Sequence, residues 1–165
     1  MNEPLHNLIE ALREELKQCG EMLALLDQQQ ELVMLRQTPG LLQIVAAINA
    51  QAETLQAVRL ERDQRRRHLA RTLGLNEDVS FKDLIPRLEL NYQPLIQALV
   101  QENNELLVRI QQRSRQNHLL LTRTLEMMQR FMSTLFPGNG KPVYNGAGVV
   151  FGPAVQPHAL YDAVG

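Results

Sequence analysis

The chain has 165 residues, enough for one domain with a modest core, and a net charge of −1 that directs it by bulk electrostatics to neither nucleic acid nor membrane. Its one cysteine, Cys19, excludes an internal disulfide and fits a reducing compartment. The N-terminus is charged every few residues and no run approaches bilayer length, so neither a signal peptide nor a membrane span is expected and the cytoplasm is the expected compartment.

Trp is absent and aromatics are few, while Leu, Gln, Glu and Arg dominate. Such a composition predicts long helices meeting along narrow seams. The first helix is predicted over residues 5–33, where Leu5, Ile9, Leu12, Leu16, Cys19, Leu23, Leu26, Gln30 and Val33 alternate steps of four and three. That spacing puts one stripe on one helix face, broken only at Gln30. Thr38-Pro39-Gly40 then stops or kinks the chain, because Pro39 lacks an amide donor and restricts the residue before it.

A second pattern runs from Leu41 to Leu73 through Val45, Ile48, Ala52, Leu55 and Leu69, with Gly74 placed to be the left-handed residue past its end. The two helices would each be roughly 50 Å long, and the short break between them predicts an antiparallel hairpin. Charge supports that pairing. Residues 1–37 hold seven acids against three bases, and residues 41–73 hold six arginines against three acids.

Residues 74–91 read as a connection, with Ser80 and Asp83 capping one short helix limited by Pro86 and Pro94. A third long helix is predicted from Pro94 to Phe136. Its stripe holds Leu95, Leu99, Leu106 and Ile110, lapses through the polar stretch 111–118, and resumes strongly from Leu119. The lapse leaves 111–118 poorly committed to a core. Pro137-Gly138 ends the helix, and the tail that starts with them holds six of the nine glycines and four of the eight prolines. The expected fold is therefore all-α: an elongated bundle of three long antiparallel helices plus a short connecting helix. The body is placed at residues 1–136 and a flexible C-terminal tail at 137–165.

Nothing in the pattern describes an enzyme. His6, His68, His118 and His158 lie far apart, without the spacing or the cysteine pairs of a zinc site. Gly138-Asn139-Gly140-Lys141 lacks the glycine spacing of a phosphate loop, and Pro142 stands where a metal-binding hydroxyl is needed. No cofactor or metal is expected. Two features carry more information. Residues 59–71 hold Arg59, Arg62, Arg65, Arg66, Arg67 and Arg71. They read either as a phosphate-tracking patch or, lacking interleaved aromatics, as a basic face complementing the acidic first helix. Met127, Met128, Phe131 and Met132 cover more than a narrow seam needs. They read either as the end of the core or as an adaptable partner-binding surface.

Three stretches in order then resemble one family. "LERDQRRRHLARTLGL" (60–75) is similar to the charged end of the second helix in the FlgN family of flagellar export chaperones. "RQNHLLLTRTLEMM" (115–128) is similar to that family's Asn-centred segment, and "VYNGAG" (143–148) resembles its tail motif of an aromatic followed by Asx, Ala and Gly. The resemblance covers most of residues 1–148; the second "LYDAVG", at 160–165, lies in an extension beyond it.

The resemblance implies a cytoplasmic chaperone that binds the C-terminal helical segment of hook–filament junction proteins and delivers them to the flagellar type III export gate. The client-binding residues expected on α-helical grounds are Leu119, Leu120, Met127, Met128, Phe131 and Met132, where the third helix is apolar beyond its need. By motif position, Tyr144 matches the family's gate-docking tyrosine, with Asn145, Gly146 and Gly148 around it. Tyr161 is a second copy outside the resemblance. A narrow bundle with apolar surface to spare is expected to self-associate without client. The competing readings are a coiled-coil scaffold with no export role and a nucleic-acid accessory protein using the 59–71 arginines.

Overall fold

The computed structural model of the chain describes residues 2–137, and these are helical almost throughout. The elements are α1 (Asn2–Met34), α2 (Thr38–Thr72), α3 (Phe81–Leu84) continued by a 3-10 turn (Ile85–Arg87), and α4 (Gln93–Leu135). By compactness the chain divides into Met1–Ser114 and Arg115–Gly165, and α4 contributes to both.

The break between α1 and α2 is tighter than the proline alone predicts. Arg36 takes a left-handed backbone at φ 53°, and the Gln37 N–H closes back on the Leu32 carbonyl at 3.0 Å. Helix α2 then begins at Thr38 rather than Leu41, with Pro39 in its first turn, where a missing amide donor costs nothing. Gly74 ends α2 at φ 69°, as its position predicts. Ser80 caps α3: its hydroxyl accepts from the Asp83 N–H at 3.3 Å and donates to the Asp83 carboxylate at 2.8 Å. The two left-handed residues give opposite expected results in one denaturant titration. Arg36→Gly relieves a side chain of left-handed strain and gains up to about 1 kcal/mol, whereas Gly74→Ala introduces that strain and loses about as much. A Cβ at Gly74 meets nothing within 4 Å, so its loss is backbone strain alone.

Within residues 2–114 the long helices meet through two apolar clusters. One gathers Leu5, Leu8, Ile9 and Leu12 with Leu69, Leu84, Leu88, Ile96 and Leu99. The other gathers Cys19, Met22 and Leu26 with Leu55, Leu107 and Ile110. Helix directions follow from the polar contacts. Gln51 donates to the Gln18 side chain at 2.8 Å while Arg59, farther along α2, reaches back to Glu15 at 3.2 Å, so α1 and α2 are antiparallel. The Asn103 amide donates to the Leu12 carbonyl at 3.0 Å and Arg113 pairs with Asp27 at 2.7 Å, so α4 runs the same way as α1.

The buried faces differ from the expected stripes in instructive ways. On α1, Leu5, Ile9, Leu12, Cys19, Leu26 and Val33 are buried as expected, but so is a second row of Leu8, Glu15, Gln18, Met22 and Gln29. Two rows are needed because α1 faces both α2 and α4. On α2, Ile44 is buried and Val45 exposed. On α4 the buried row is Ile96, Leu99, Asn103, Leu107 and Ile110, while Leu95 is exposed and Leu106 only half-buried. Asn103 lies inside this row, so the pattern of apolar residues alone selected the neighbouring one.

Candidate functional site

Charge was one candidate for function, and the arginine cluster is occupied within the fold. Glu15 on α1 is 1 % exposed, and its carboxylate lies between Arg59 at 3.2 Å and Arg62 at 3.4 Å. The Arg62 guanidinium also sits 5.6 Å from the centre of the Phe81 ring, and burial holds it below its usual protonation range, with Glu15 opposing that shift. Arg66 donates to the carbonyls of Glu77 and Val79 and to Asp63, tying the connection after α2 back onto the helix. Arg65 pairs with Glu61, Arg67 with Asp63, and Arg71 with Glu77. Burial disfavours the charged form of Asp63, but hydrogen bonds and charge from Arg66 and Arg67 outweigh it and hold its carboxyl below the ordinary value. Arg59 and Arg62 therefore complement the acidic first helix through Glu15, while Arg65, Arg66, Arg67 and Arg71 pair with acids of α2 itself or of the connection after it.

Cys19 offers no nucleophile. It is fully buried, and burial, followed by the Glu15 carboxylate, pushes its thiol up to about 12. Among the described residues no group of three His, Cys, Asp or Glu could hold a metal ion.

The second candidate is apolar. From Leu119 onward α4 presents large side chains to solvent: Leu119, Leu125, Met127, Met128, Phe131, Met132, Leu135 and Phe136 are all more than half exposed. Phe131 reaches 63 % and Met128 59 %. The helix itself is well formed. The hydroxyls of Thr122, Thr124, Ser133 and Thr134 each donate to the carbonyl four residues earlier at 2.9 Å, so these hydroxyls are satisfied locally.

At about 100° per residue, the expected client-binding residues do not all share a face. Leu120, Met127, Met128, Phe131 and Met132 fall within one broad arc. Leu119 lies half a turn away from Met128, on the side of Glu126, Arg130 and Ser133. Sequence reasoning also passed over part of the face. Leu121, Leu125, Met128, Met132 and Leu135 continue the alternation of four and three, and the half-buried Leu121 begins it. That signal was legible in the sequence. The methionine cluster drew attention away from the longer row.

The polar stretch 111–118 is better held than its composition predicts. Arg113 pairs with Asp27 and hydrogen-bonds to the Gln30 side chain, and Asn117 is buried. Polar contacts replace the apolar ones that the stripe lacks. Tyr144, Asn145, Gly146, Gly148 and Tyr161 lie outside the described residues.

The observations define a class: a helical protein with the arginine cluster of α2 paired internally and a long apolar face left open on its last helix. The family model for "FlgN protein" matches residues 1–150, and the chain belongs to the FlgN family. This is a family of flagellar export chaperones rather than enzymes. No curated protein and no solved structure matches the chain. Among the described residues no helix is long and apolar enough to cross a membrane.

Proposed function

We propose that this chain is a cytoplasmic export chaperone holding the C-terminal helical segment of a hook–filament junction protein along residues 119–136. The observation that carries the reading is the open face itself. A formed helix keeps Leu125, Met128, Phe131, Met132 and Leu135 more than half exposed, at the spacing one helix uses to receive another. Such surface is costly to leave in water and is gained back when an amphipathic helix covers it. Covering the client's own segment in turn keeps it from associating prematurely. Family membership supports the client class, because FlgN proteins serve flagellar hook-associated proteins.

Delivery is assigned to the tail. In this reading the body, 1–136, holds the client and the tail, 137–165, reaches the export gate. Tyr144 combines an apolar ring with a polar tip, which suits a shallow pocket on the gate's cytoplasmic domain. Gly146 and Gly148 let that partner approach the backbone closely. Titrating the gate domain into the chaperone–client complex tests this. Tyr144→Ala is expected to weaken gate binding by about 2 kcal/mol, the loss of a hot-spot aromatic, with client affinity unchanged. Equal gate affinity for wild type and variant would remove Tyr144 from the role, and a loss only in Tyr161→Ala would move it to the second copy.

A further inference from the structure

Half of the chain's six methionines fall within six residues of α4: Met127, Met128 and Met132. All three are open to solvent, at 56 %, 59 % and 54 % exposure. Met128 and Met132 sit in the row Leu121, Leu125, Met128, Met132, Leu135, and Met127 lies about 100° round the helix from Met128, at the edge of the broader apolar arc. Elsewhere, Met22 is fully buried in the core, and Met34, at the end of α1, is 69 % exposed. The apolar face thus carries a chemistry that leucine would not bring. A thioether can be made polar without any change of sequence.

We propose that Met127, Met128 and Met132 are an oxidation-sensitive modification site that closes this face to apolar helices. The oxidant is of the peroxide class. A sulfur lone pair attacks one peroxide oxygen, the S–O bond forms and the O–O bond breaks. The sulfur is oxidised by two electrons, and the departing oxygen leaves as water after taking up the proton. Each thioether becomes a sulfoxide, a strong hydrogen-bond acceptor that would be stranded beneath a docked helix. The consequence for client rests on the proposed function; the modification and the loss of an apolar surface do not.

The full chain is treated with hydrogen peroxide and mapped by mass spectrometry, then probed with the apolar dye ANS and with a client C-terminal helical peptide. The comparison variant carries Met127→Leu, Met128→Leu and Met132→Leu, exposed positions where folding is not at risk. The wild type is expected to form sulfoxide at 127, 128, 132 and 34 while Met22 stays reduced. Its dye emission should fall by at least half and its client Kd rise at least tenfold, and methionine sulfoxide reductase should reverse both. Peroxide should leave the leucine variant's dye emission and client Kd at that variant's own untreated values although its Met34 is oxidised, which separates the face from general damage. A wild type that carries the three sulfoxides and retains its dye signal, or a leucine variant that loses it equally, overturns the proposal. If the untreated chain does not bind the peptide at all, the client reading fails, and the dye and mass readouts still decide this one.

Discussion

The double variant Met128→Asp/Phe131→Asp should lose its client by at least a hundredfold, about 2.7 kcal/mol, while keeping the helicity and melting behaviour of the wild type. Both side chains are more than half exposed, so neither substitution buries a charge in the chain alone. Beneath a docked helix the two carboxylates would be desolvated against apolar surface, which costs several kcal/mol where no cation pairs with them. The two requirements pull apart only if the face is a binding face. Were these residues core, unfolding would accompany or precede the loss of client. A control at Leu119, on the opposite side of the helix, should bind client like the wild type when changed to Asp. Circular dichroism and isothermal titration on the same samples check all three.

The second large effect concerns stability. Glu15→Ala should destabilise the chain by about 3 kcal/mol, at the lower end of what removing one partner from a buried ion pair costs. Glu15 is almost completely buried, and its loss leaves Arg59 and Arg62 facing each other across the space it filled. Both arginine side chains retain 19 % exposure, so water recovers part of the penalty. Glu15→Gln preserves the shape and removes only the charge, and should cost less than the alanine. Chemical denaturation of the three proteins at neutral pH reads the series directly. If Glu15→Ala and wild type unfold at the same denaturant concentration, the buried trio does not stabilise the fold.

The trio also shows where the sequence was legible and where it was not. Acid on the first helix and arginine on the second predicted that the two would pair, and Glu15 with Arg59 and Arg62 realises it. That the acid would be buried could not be read, because Glu15 stands beside Leu16, off the predicted apolar row, where a carboxylate is expected to face water. Asn103 on α4 is a second such burial: it is 3 % exposed and donates to a backbone carbonyl, yet it interrupts the pattern that marks a core. Helix ends set by special residues were legible at Gly74 and Ser80, whose chemistry admits few other roles. The end of α1 was less so, since Arg36 adopts a left-handed backbone with no side-chain property that announces it. For the open face, composition identified the methionines. The spacing that joins Leu125 and Leu135 to Met128 and Met132, and sets Leu119 on the other side of the helix, was also present in the sequence, but the methionine cluster obscured it.

The central claim is that residues 119–136 receive the client, and amide hydrogen exchange tests it most directly. The full chain is compared with and without the C-terminal helical segment of a hook–filament junction protein. An uncovered helical stretch opens easily, and a docked helix should suppress that opening. The account predicts that exchange between residues 119 and 136 slows at least tenfold on binding, while α1 and α2 exchange as before. Unchanged exchange across 119–136, with protection appearing on α1 and α2 instead, would contradict it.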